Sequence, residues 1–196
     1  MSSKIKAKDI LLLLLYLPGK NPEINEPIVG RTRITKMMFL FEKELLKNFN
    51  NISLDSLPEF FAYNYGPFSK ELLDDIRFFQ AINFIKEDVI SDGASSEEEV
   101  GEYVYDIYED LDLSNEIAIE DVGYPGETQF YLTDKGIKFV EDKLLSNDQF
   151  TDDQLQILKM FKKKINTQSL NQILTYVYKK YEEMTTNSYI RDKILG

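Results

Sequence analysis

The chain has 196 residues, 43% of them hydrophobic, with 34 acidic against 23 basic side chains and a net charge of -11. That length and apolar content can bury a core without staples, as one domain or one domain with an appendage. Cysteine and histidine are both absent, which excludes disulfides, thiolate metal sites, zinc hydrolases and His-dependent triads, and makes the cytoplasm the expected compartment.

Residues 7 to 17 predict a first helix, ended by Pro18-Gly19. Lysines followed by the apolar run from Ile10 to Leu17 have the outline of a signal peptide, but Asp9 abuts the run and no small-x-small site follows. The run is also far short of the roughly 20 residues that span a bilayer, so a buried core helix and no membrane partner are expected. After a polar, proline-bearing loop, "RTRITKMMFLFEKELLKN" resumes helical spacing, with Ile34, Met37, Met38, Phe41 and Leu45 as its apolar stripe.

"EFFAY" reads as a short strand, and Gly66-Pro67 as the turn before a third helix that Ser69 caps. Leu72, Ile76, Phe79 and Asn83 share one side of this helix, and Lys70, Asp74, Arg77 and Ala81 the other. Phe84 and Ile85 continue it as apolar surface. Between Glu87 and Asp121 there are fourteen acids and no Lys or Arg, which leaves 20 acids against 23 bases in the rest of the chain.

"EIAIEDV" and "TQFYL" read as two strands joined through "GYPGE", and Thr133 caps a helix carrying Ile137, Val140 and Leu144. The last fifty residues are helical, with capping boxes at Thr151/Gln154 and Ser169/Gln172. The fold class expected is α+β, mostly helical: a winged helix-turn-helix with a C-terminal helical hairpin. The winged-helix domain spans 1–146 with an acidic insertion at about 87–116, and the helical extension spans 147–196. The hairpin packs on that domain or on a second copy, so a homodimer through the C-terminal helices is one expectation.

Three phrases, "GRTRITKMMFLFEKE", "YNYGPFSKELLDDI" and "FYLTDKG", together resemble a broad prokaryotic group of winged-helix proteins that includes the Panacea or SocA-like antitoxins and the YwgA-like proteins. The resemblance covers roughly residues 28 to 144. It implies a fold used in antitoxins and regulators, with no catalytic residues and no cofactor. The function expected on that basis is non-enzymatic: a DNA-binding transcriptional regulator of antitoxin-like type. The alternative is a protein-interaction module of the same fold that binds a basic partner such as a toxin or defence protein.

Candidate contacts follow from charge. On the second helix Lys36, Lys43 and Lys47 fall within about 40° of one another, and Arg31 and Arg33 precede them. Cations at a helix N-terminus oppose its dipole, so an anion is expected there, either duplex-DNA phosphate or the chain's own acidic segment, with the internal pairing slightly favoured. On the third helix Lys70, Arg77, Gln80 and Asn83 are the candidates for base edges or phosphates. Tyr103, Tyr105 and Tyr108, in purely acidic surroundings, suit a partner protein better than stacked bases. Asp88, Asp92, Gly93 and Glu99 match four positions of a calcium loop, but Ile90 and Ser95 break the pattern, so no metal is assigned.

Overall fold

The structure is a computed structural model that describes residues 5–90, 127–146 and 149–196. Its centre is helix α1 (Ala7–Tyr16), in which every residue from Ile10 to Leu15 is buried. The Asp9 carboxylate accepts the Lys6 N–H at 2.8 Å and starts the helix. Neighbours cover α1 on all sides, as its uninterrupted apolar run requires. Among the described residues no helix is long and apolar enough to cross a membrane.

A two-residue strand, β1 (Ile28–Val29), lies in the loop after α1, and Gly30, at φ +86°, turns the chain into α2 (Arg31–Leu40). The helical path then widens through a π turn at Phe41–Leu45 and tightens at Leu46–Asn48. Expected helix and observed path thus span the same residues, but the 3.6-residue period does not run through them.

Strands β2 (Phe61–Tyr63) and β3 (Gly66–Phe68) form a hairpin, with Phe61 opposite Phe68 and Tyr63 opposite Gly66. Gly66 and Pro67 are therefore strand residues, and the turn falls at Asn64-Tyr65. Gly66 is needed twice over: its φ is +84°, and a Cβ would approach the Tyr178 ring to 3.0 Å.

Helix α3 (Lys70–Ala81) starts as expected, the Ser69 hydroxyl accepting the Leu72 N–H at 3.3 Å. Its end differs from expectation. Asn83 takes φ +59°, Phe84 N–H donates to Phe79 O at 2.8 Å, and Asn83 N–H donates to Gln80 O at 2.9 Å. This paired closure ends the helix with an Asn in the left-handed position and turns Ile85 into the first residue of a strand.

That strand, β4 (Ile85–Ile90), pairs antiparallel with β5 (Glu127–Leu132), Ile85 facing Leu132, and β5 pairs with β1, giving the order β1-β5-β4. The ribbon partner expected at residues 116–122 lies outside the described residues; β5 pairs instead with β4. Thr133 caps α4 (Asp134–Phe139), accepting the Gly136 N–H at 3.2 Å. Gly136 crosses the backbone of Phe84 so closely that a Cβ would lie 2.3 Å from its carbonyl oxygen.

Both expected capping boxes are present, at the starts of α5 (Asp152–Thr167) and α6 (Leu170–Lys180). A short terminal helix, α7 (Arg191–Leu195), follows. The α5–α6 hairpin packs on its own chain: Leu158, Phe161, Ile165, Ile173 and Val177 belong to the same core as Leu12, Phe39 and Phe130. The architecture is α+β and mostly helical.

Candidate functional site

The basic residues of α2 do not form the outward stripe that sequence spacing predicts. Lys36 is 2% exposed, and its ammonium donates to the Pro67 carbonyl at 3.0 Å. Pro67 has no N–H of its own, and the edge of β3 offers this oxygen inward. Arg33, also buried, donates from Nη1 to the carbonyls of Ile165 at 2.8 Å and Gln168 at 2.7 Å, and from Nε to Val29. Those two carbonyls lie at the C-terminal end of α5, where the negative pole of the helix favours a cation. Burial removes both residues from contact with a phosphate at the surface.

Arg31 meets the chain's own acidic stretch at its first residue. Its Nε and Nη2 reach the two oxygens of Glu87 at 3.0 and 2.9 Å, a bidentate pair only 21% and 15% exposed. Gln80 Nε2 donates to the same carboxylate at 2.9 Å. Glu87 thus ties the start of α2, the end of α3 and the ribbon together, and sequence reading counted it only as one acid among fourteen. Lys43 is exposed, pairs with Glu42 at 2.9 Å and lies over the Phe39 ring; Lys47 is exposed beyond the π turn.

On α3, Lys70, Asp74, Arg77, Phe78 and Ala81 are exposed. Arg77 lies 3.6 Å from Asp74, so the outward face has mixed charge. Asn83 is exposed and ends the helix. Tyr103, Tyr105 and Tyr108 lie outside the described residues. Of the four residues that match the calcium loop only Asp88 is described, and there it accepts from Tyr131 and Lys86 as a strand residue.

The most buried charge lies on α5. Lys162 is fully buried, and its ammonium donates to the carbonyls of Leu15 at 3.0 Å, Leu17 at 2.6 Å and Glu26 at 2.7 Å. Burial pulls its pKa down to about 7, against the pull of the Glu26 carboxylate. The three carbonyls, which only accept, favour the ammonium with its three N–H groups. Burial by itself would raise the Glu26 pKa, but the Asn166 amide and backbone N–H groups, Asn21's among them, outweigh it and hold the carboxyl below its ordinary value.

The sequence carries a signal for Lys162 that local charge hides. It sits four residues after Leu158 and three before Ile165, on the buried stripe of α5, although the run "KKK" around it reads as a solvated face.

The described residues also leave an apolar surface open. A groove of about 380 Å³ lies between α2 with its π turn, α5 and α6, lined by Leu40, Leu45, Ile157, Met160, Ile173 and Tyr176 among others. Comparison with protein-family models gives no match to the chain, and no curated protein matches it.

Proposed function

We propose that the chain is a cytoplasmic winged-helix protein without catalytic chemistry that works by capturing a basic protein partner. The element order α1, β1, α2, β2, β3, α3, β4, β5, with β5 between β1 and β4, supports the winged-helix reading, in which α3 would be the recognition helix and β4–β5 the ribbon. The observation that carries capture over DNA reading is the fate of the α2 cations. Arg31, Arg33 and Lys36 are bound by groups of the chain itself, and of the cations that follow α2 only Lys43, paired with Glu42, and Lys47 remain exposed.

The charge left over is negative. Residues 91–121 contain twelve acids and no Lys or Arg, together with Tyr103, Tyr105 and Tyr108, and aromatic residues are common anchors at interfaces. A basic partner answers that chemistry, and charge complementarity speeds its encounter. The test is anisotropy of a labelled peptide rich in lysine and arginine at low salt. Binding is expected with the full chain and lost on deletion of residues 91–112, with the melting temperature retained. Equal binding by the deletion variant overturns the reading.

A second reading, duplex DNA, is favoured by Lys70 and Arg77 lying exposed on one face of α3. It requires that Lys70→Glu with Arg77→Glu abolish a salt-sensitive affinity for duplex.

A further inference from the structure

We infer that the groove between α2, α5 and α6 is a docking site for an amphipathic helix of a partner protein, one that presents an acidic flank beside its apolar face. This surface shares no residue with the acid-rich stretch and does not depend on the reading above. Its walls come from three helices, and its floor holds Leu40, Leu45, Phe161 and Ile173. Along α5 the lining runs from Ile157 to Gln168, roughly 16 Å of helix at 1.5 Å per residue. That length matches about two or three turns of a bound helix, whose anchors recur at i, i+3 or i+4, and i+7.

Met160 stands in the wall with 63% of its surface exposed. An unbranched thioether adapts to whatever apolar side chain enters, and nothing in the fold requires Met160 to face solvent.

The charge of the rim selects the occupant. Glu44 is the only acid in the lining, and its Oε1 already accepts from Lys180 at 2.8 Å, Tyr176 at 2.6 Å and Tyr181 at 3.1 Å. Two ammonium groups lie near the Tyr176 ring, Lys164 at 5.6 Å and Lys180 at 5.1 Å from its centroid. Lys163 and Lys164, both exposed, follow Met160 by one turn of α5. Lys180 is paired with Glu44, so the unbalanced charge at the rim is the positive charge of Lys164, on a chain whose net charge is -11. A second copy in a symmetric pair would bring the same lysines against these, and a basic helix would be repelled. Carboxylates on the flank of an incoming helix would face Lys164, with the exposed Lys163 next to it in the chain, while its apolar side chains fill the groove.

The experiment uses the full chain and two fluorescein-labelled helical peptides of about 15 residues with leucine at the anchor spacing, one carrying glutamate and the other lysine at the flanking positions. Anisotropy at low salt is expected to show saturable binding of the glutamate peptide and at least about tenfold weaker binding of the lysine peptide. Met160→Glu, at an exposed position that leaves the fold unchanged, should weaken the glutamate peptide by about tenfold or more, and Lys163→Glu with Lys164→Glu should reverse the preference. Equal affinity for both peptides, no saturable binding of the glutamate peptide, or indifference to Met160→Glu overturns the inference. Sedimentation that finds a dimer of the wild-type chain and a monomer of Met160→Glu also overturns it, by giving the groove to a second copy.

Discussion

Replacing Lys162 by methionine removes a buried charge while keeping most of the side-chain volume, and it tests whether the C-terminal hairpin is clamped to the body by that charge. In the wild-type chain three carbonyls, those of Leu15, Leu17 and Glu26, converge on the ammonium at 2.6 to 3.0 Å. Each buried acceptor left without a donor costs about 1–3 kcal/mol. Against this, the variant no longer desolvates an ammonium, which recovers several kcal/mol. The carbonyls sit at the end of α1 and in the loop after it, where water cannot enter without parting α5 from α1, so the loss dominates. The expected net destabilisation is about 3 kcal/mol, or a melting temperature lower by about 6–12 °C for a chain of this size. Urea denaturation followed by far-UV circular dichroism measures it, with Lys163→Met, an exposed neighbour, expected within about 0.5 kcal/mol of wild type. A Lys162→Met chain as stable as wild type would refute the clamp.

Gly136→Ala places a Cβ where the structure leaves 2.3 Å to the Phe84 carbonyl oxygen. The Phe84 backbone and α4 must separate, and a loss of about 3 kcal/mol is expected by denaturation. For Glu26, hydrogen bonds hold the folded carboxyl below its ordinary 4.5. A depressed acid stabilises the fold above the unfolded value and loses that contribution as pH falls through the folded one. Thermal melts should therefore decline below pH 4.5 in wild type, and the decline should be shallower in Glu26→Gln.

The legible parts of the fold are those whose chemistry is local. Ser69, Thr133, Thr151 and Ser169 all cap as their sequence positions predict, because each hydroxyl satisfies an N–H three residues away. The run of leucines in α1 reads correctly as buried on all sides. The end of α3 did not read, since Phe84 and Ile85 extend an apolar pattern past the real boundary. Asn83 was the available sign, an Asn placed where a helix can close in the left-handed conformation.

The cations were the hardest to read. Lys36 looks like one member of a surface stripe until its acceptor, the Pro67 carbonyl 31 residues away, is in view. Lys162 finds two of its acceptors 147 and 145 residues away. Spacing along one helix cannot reveal partners that only tertiary packing supplies, and a proline carbonyl gives no signal of its own. The groove was hidden for the same reason, being assembled from α2 and the α5–α6 hairpin far along the chain from it.

Arg31, Arg33 and Lys36 serve the fold, and on the function proposed above the chain should bind protein and not nucleic acid. Titration of the full chain into labelled duplex DNA at low salt tests this most directly, because phosphate contacts are strongest there. No saturable binding is expected. Tight binding that weakens steeply as salt rises would contradict it.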